Sequence, residues 1–172
     1  MIFSVKKEIS TKMTCPSRIA AVDICNTIAG VNAVLERLLG RKPDPLRYNH
    51  PGLVPGFFSA YAEEVFGAAL PLPGAVEGVR ALAREYRIVY LTARPEEARR
   101  VTLEWLRYWG FPEGKLVITQ DKARVARELG VELAIDDAPH ELVTLRKAVP
   151  LVLAKREPYN AGLALAFEWT AV

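Results

Sequence analysis

Cysteine, histidine and methionine are scarce in this chain, with two of each in 172 residues. Cys15 and Cys25 form no CxxC pair, which excludes a zinc ribbon or a disulfide framework and makes a reducing cytosol the expected setting. No run approaches the roughly 18 apolar residues of a membrane span, and residues 1–8 lack the apolar centre of a secretory leader. Charge of one sign is missing as well. The 23 basic and 20 acidic residues leave +3, which gives no polyelectrolyte basis for gripping a nucleic-acid polymer. Neither a membrane nor a nucleic-acid polymer is therefore an expected partner, and nothing in the sequence sets an oligomeric state.

What is present is globular. Hydrophobic residues make up 51% and charged residues 25%, without low complexity or an internal repeat, and the length suits one domain with a real core. Residues 1–17 are mixed and polar and read as an arm, leaving 18–172 as the core. Ile19–Asp23 is apolar at every position before its acid, as a central parallel strand should be. Ile28–Leu39 has helical spacing and stops at Gly40. Residues 41–56 carry four prolines and two glycines and are read as loop, followed by a short helix over Phe57–Phe66.

From Pro73 the alternation becomes regular. Helices are expected at Gly74–Glu85, Pro95–Trp109, Asp121–Leu129 and Pro139–Lys147, and strands at Arg87–Thr92, Leu116–Thr119, Leu133–Asp136 and Leu151–Leu153. The Pro95 helix shows proline at its first position, Glu96 and Glu97 at its positive end and Gly110 past its stop. The tail, Pro158–Val172, is apolar enough for a final helix. The fold class is α/β, a three-layer Rossmann-like parallel sheet. The excursion at about 28–72 is longer than α/β loops normally run and reads as a small helical cap inserted after strand one.

Polar residues collect at the expected strand ends. Asp23 closes the first strand, Thr92 the second, Lys122 opens the helix after the third, and Asp136-Asp137 close the fourth. Each has a bland alternative: Thr92 and the paired acids as helix caps, Lys122 as a solvated helix residue. Their order at successive strand ends favours a shared site. Lys115 is a neighbouring alternative to Lys122, which is preferred because it begins the helix feeding the last of these strands.

This order, Asp, Thr, Lys, Asp-Asp, resembles the four motifs of the haloacid dehalogenase-like (HAD) superfamily over residues 18–140. The small insertion, Thr-Ala-Arg-Pro at 92–95 and Ile-Asp-Asp-Ala-Pro-His at 135–140 look most like its 5′(3′)-deoxyribonucleotidase-like branch. The resemblance implies a phosphatase of small phosphomonoesters, with nucleotides a candidate class. Asp23 would attack phosphorus to give an aspartyl-phosphate. Mg²⁺ would be held by Asp23, the main-chain carbonyl of Cys25, and Asp136 or Asp137. Thr92 would donate to the transferring group and Lys122 would offset its charge, while Asn26, Thr27 and Arg94 would serve substrate binding.

Cys25 departs from the pattern, because the resembled phosphatases carry there a second Asp that protonates the leaving oxygen. A thiol hydrogen-bonds weakly and shuttles protons poorly, and the lost acid/base help is worth ~10²–10⁴-fold. Slow turnover, or a protein that binds phosphate and metal without cleaving, is the consequence. A cysteine-phosphatase loop is excluded because Val31, not Arg, stands six residues later. A softer metal on Cys25, Asp136 and His140 matches no zinc spacing, and a buried small residue is the bland reading of the thiol. His140 or His50 are candidate replacements for the acid. Arg41, Tyr48, His50, Phe57, Phe58 and Tyr61 are candidates for holding a phosphate and a base, or for gluing the cap together.

Overall fold

Ile19–Val22 (β1) alternates between two cores. Ala20 and Val22 face one side with Ile88 and Tyr90, while Ile19 and Ala21 face the other with Val89 and Leu91. A strand buried on both faces must be central, since each fully buried Val, Ile or Leu side chain contributes about 1.5–3 kcal/mol. The computed structural model, which describes residues 16–170, places it so. β1 pairs in parallel with β2 (Arg87–Thr92) on one side and β4 (Leu133–Asp136) on the other. With β3 (Lys115–Ile118), β5 (Leu151–Lys155) and β6 (Leu165–Phe167), the sheet runs β3-β2-β1-β4-β5-β6, all parallel.

Helices cover both faces. α1 (Val31–Leu39), α3 (Ala75–Leu82) and α4 (Arg99–Tyr108) bury Val34, Val79 and Trp105 in one core. α5 (Lys122–Leu129) and α6 (Pro139–Leu145) bury Ala126 and Leu142 in the other. The chain leaves β1 in opposite directions across the sheet, so a crevice opens between β1 and β4 at their carboxyl ends, where open α/β sheets bind ligands. Asp23 lies one step past the Val22–Tyr90 and Val22–Ile135 pairs, which brings Asp23, Thr92 and Asp136 to one edge.

Several expected boundaries shift. The Ile28–Leu39 helix begins at Val31, because Ile28 and Ala29 close a tight loop back onto the Ile24 carbonyl. Phe57–Phe66 is a single turn, α2 (Phe57–Ala60), followed by a π-helical turn at Glu63–Gly67. Pro95 is extended (φ −67°, ψ 156°) and heads a 3₁₀ turn, Glu96–Ala98, so α4 starts only at Arg99. The tail is not a helix. A 3₁₀ turn at Pro158–Asn160 leads into β6, whose Leu165–Phe167 adds in parallel to β5, an outcome its apolar composition permits equally well. Trp169 then lies on α3 where a Cβ on Gly78 would clash with its ring. The arm read over residues 1–17 lies almost wholly outside the described residues. No described helix is long and apolar enough to cross a membrane.

Candidate active site

The loop after β1 turns on Asn26, the one non-glycine among the described residues with positive φ (55°), a conformation Asn tolerates better than most side chains. Its backbone N–H donates to the Ala29 carbonyl at 2.7 Å and its Oδ1 accepts from the Asn32 N–H at 2.9 Å. The Cys25 carbonyl accepts no hydrogen bond among the described residues.

Asp23, Asp136 and Asp137 are all buried and each offers an oxygen within 4.8 Å of the others. The Lys122 ammonium donates to Asp23 Oδ1 and Asp136 Oδ2, both at 2.7 Å, from a side chain only 3% exposed. Lys115 is exposed on the edge strand β3, so the structure brings Lys122 and not Lys115 to the acids. Asp136 Oδ1 accepts the Ala138 N–H, while Asp137 takes hydrogen bonds from the Thr27 hydroxyl (3.1 Å) and the Tyr159 hydroxyl (2.5 Å).

The charges do not balance. Burial opposes the Lys122 charge, but Asp136 and Asp23 more than reverse this and hold its pKa well above the ordinary lysine value. Burial also pushes Asp136 up to about 7 against the pull of Lys122, and burial and the neighbouring acids push Asp137 well up. Three carboxylates share one ammonium, so the cluster is short of positive charge. A hard, all-oxygen donor set with excess negative charge fits a small divalent cation such as Mg²⁺. Cys25 and His140 belong to no metal-capable grouping among the described residues.

A cavity of about 140 Å³ opens beside the acids, lined by Asp23, Cys25, Asn26, Thr92, Arg94 and Lys122. Thr92 is buried, and its oxygen is 3.4 Å from the Arg94 N–H, leaving its own proton free to donate into the cavity. Thr27 is not brought to this cavity. It is fully buried and faces Asp137. Arg94 is 3% exposed, donating from Nε to Cys25 Sγ at 3.2 Å and from Nη1 to Thr102 Oγ1 at 2.9 Å, with its guanidinium 4.1 Å from the Phe66 ring centre.

The residues between β1 and α3 divide in two. Tyr48, His50 and Phe58 line the cavity, whereas Arg41, Phe57 and Tyr61 do not. His50 is tied down: its Nδ1 accepts the Gly52 N–H and its Nε2 is 2.9 Å from the Arg41 carbonyl, which makes Nε2 the protonated nitrogen. His140 is 65% exposed at the rim, edge-on to Tyr48.

Sequence reasoning missed the C-terminal supports. Besides Tyr159, the Asn160 amide donates to the Asp137 carbonyl at 2.8 Å and Trp169 Nε1 to the Thr27 carbonyl at 2.7 Å. A tail read as helix hides them, since only its return beside β5 brings it to the acids. It also missed Glu141, a buried carboxylate on the first turn of α6 that lines the cavity. Its nearness to the Asp-Asp pair is the signal that would have found it.

The family described as 5′ nucleotidase, deoxy (pyrimidine), cytosolic type C protein matches residues 52–169, a span that takes in Thr92, Lys122 and the paired acids but not Asp23. A candidate nucleotidase of Bacillus cereus is 33% identical over 107 residues, covering 59% of this chain and 57% of that protein. The chain thus spans little more than half the length of that curated relative. Solved structures share the fold. An L-2-haloacid dehalogenase superimposes with a TM-score of 0.54 at 15% identity, over 84% of this chain and 87% of its own. A haloacid dehalogenase-like hydrolase from Burkholderia xenovorans gives 0.55 at 15%, over 83% and 85%.

Proposed function

The chain belongs to the 5′-nucleotidase, deoxy (pyrimidine), cytosolic type C family within the HAD superfamily, and from that premise we propose that it is a magnesium-dependent hydrolase of small phosphomonoesters, nucleotides first among them. The observation that carries this reading is the buried meeting of Asp23, Asp136 and Asp137 with Lys122 at the crevice between β1 and β4. Asp23, the Cys25 carbonyl and Asp136 or Asp137 would hold the ion. Bound there, it supplies Lewis-acid polarisation of the phosphoryl oxygens.

Asp23 is the attacking carboxylate, forming an aspartyl-phosphate as the bond to the leaving oxygen breaks; water then releases phosphate. Lys122 offsets charge on Asp23 and the transferring group, and Thr92 donates to a phosphoryl oxygen. Thr27 acts behind the site, orienting Asp137. The Cys25 thiol is pushed up by burial, which Arg94 opposes only in part, so it remains a neutral thiol, a weak hydrogen-bond donor at the place where the superfamily keeps its acid. Residues 28–72 are proposed to form a small cap that presents Tyr48 and Phe58 to the substrate, and the reducing cytosol is the proposed compartment.

A screen of phosphomonoesters with and without magnesium tests the reading. Turnover that needs the ion and vanishes in Asp23→Asn is expected. Full activity in that variant, or no release of phosphate from any small phosphate ester or anhydride by the native protein, refutes it.

A further inference from the structure

Arg94 is a buried cation with no anion beside it among the described residues. Among the described residues it donates to a thiol and to a hydroxyl, neither of them a carboxylate, and its Nη2 has no hydrogen-bond partner at all. Burying an uncompensated charge is costly, and the face of Phe66 offsets only part of that cost. The cavity that Arg94 lines also holds Asp23, so an anion entering it would meet the guanidinium and the attacking carboxylate together.

The contact with Cys25 says which part of the anion. The backbone at Cys25 closes the loop that carries Asp23, and Arg94 is locked against its sulfur, where the proposed mechanism needs something to take charge from the departing oxygen. A guanidinium keeps its protons and cannot protonate an alkoxide, but it pairs in a fork with phosphate. We propose that Arg94 receives a phosphate leaving group, so that the site cleaves the terminal phosphoryl of a phosphoanhydride, such as a nucleoside diphosphate, in preference to an alkyl monophosphate. This rests on the phosphohydrolase reading above.

The step balances without an acid. A carboxylate oxygen of Asp23 bonds to the terminal phosphorus as the anhydride P–O bond breaks, and the electron pair stays on the bridging oxygen. That oxygen leaves as part of a nucleoside monophosphate, whose second ionisation lies near pH ~6 and which therefore departs without a proton. Water then adds to the phosphorus, the bond to Asp23 breaks, and both protons of the water leave with the inorganic phosphate.

The test compares deoxythymidine 5′-diphosphate with the 5′-monophosphate under magnesium. In the native protein kcat/KM for the diphosphate is expected to exceed that for the monophosphate by ~100-fold or more, the scale of the missing acid. Arg94→Met should lower the diphosphate rate far more than the monophosphate rate, with partial return in Arg94→Lys, while Cys25→Asp should raise the monophosphate rate. Independently of turnover, the diphosphate should raise the melting temperature of Asp23→Asn more than the monophosphate does, and this excess should vanish when Arg94→Met is added. A native ratio near one overturns the proposal while leaving the phosphohydrolase reading intact. A high ratio unchanged in both Arg94 variants, with folding verified by melting, also overturns it. Cleavage of neither nucleotide, with turnover of no other phosphomonoester, refutes the hydrolytic reading and the preference together.

Discussion

Lys122 shows how much one side chain carries in this site, because its ammonium is the counter-charge that two buried carboxylates touch. Lys122→Met leaves those charges uncompensated, and we expect the metal-free protein to lose on the order of 3–5 kcal/mol, measured by urea unfolding in chelator. Asp23→Asn acts oppositely: it removes one of three crowded charges, so the chelated variant should melt no lower than the native protein while turnover vanishes. The same crowding sets a pH dependence. The folded pKa of Asp136, about 7, lies above its ordinary value of 3.8, so ionising it costs folding free energy. Stability from this group is full below pH ~4 and is lost as pH rises through about 7. In chelator the melting temperature should therefore fall from pH 5 to pH 8, and magnesium, which prefers the ionised acids, should restore more at pH 8 than at pH 5. A magnesium shift that shrinks as pH rises would contradict this. At this scale the sequence was informative for Asp23, Thr92, Lys122 and the paired acids, since each ends a strand or opens a helix. It named Thr27 and Arg94 for substrate binding but not the side chains they meet, Asp137 and Cys25, which lie 110 and 69 residues away.

Secondary-structure elements were legible where hydrophobic period and punctuation agreed. β1, β2 and β4 have nearly the expected limits, being short apolar runs closed by polar residues. The tail was not, because Leu165–Phe167 has no intrinsic preference strong enough to choose strand over helix; pairing with β5 chooses it. That tail is expected to support the acids. Tyr159→Phe deletes a hydroxyl bond to Asp137 and should weaken magnesium binding by roughly 10–100-fold, seen by titration, with little change in the metal-free melt. Gly78→Ala sets a methyl against the Trp169 ring and should cost about 1–3 kcal/mol in unfolding free energy.

At the scale of the whole molecule, a cation that binds only the folded acids stabilises the fold by mass action, about 2.7 kcal/mol at a hundredfold excess over Kd. Native protein should therefore melt higher with magnesium, and Asp136→Ala combined with Asp137→Ala should not; an equal shift in both proteins would move the ion elsewhere. The sequence by itself determined the α/β alternation, the parallel sheet and the chemical character of its strand ends, because burial on both faces and turn punctuation are local patterns. Only the tertiary structure decided the rest. It moved Thr27 from the cavity to the back of Asp137, chose Lys122 over Lys115, folded the tail into a sixth strand and buried Arg94 against Cys25. Each of these depends on which distant segments share a crevice. That is settled by the order of strands in the sheet and the packing across it, which no local periodicity encodes.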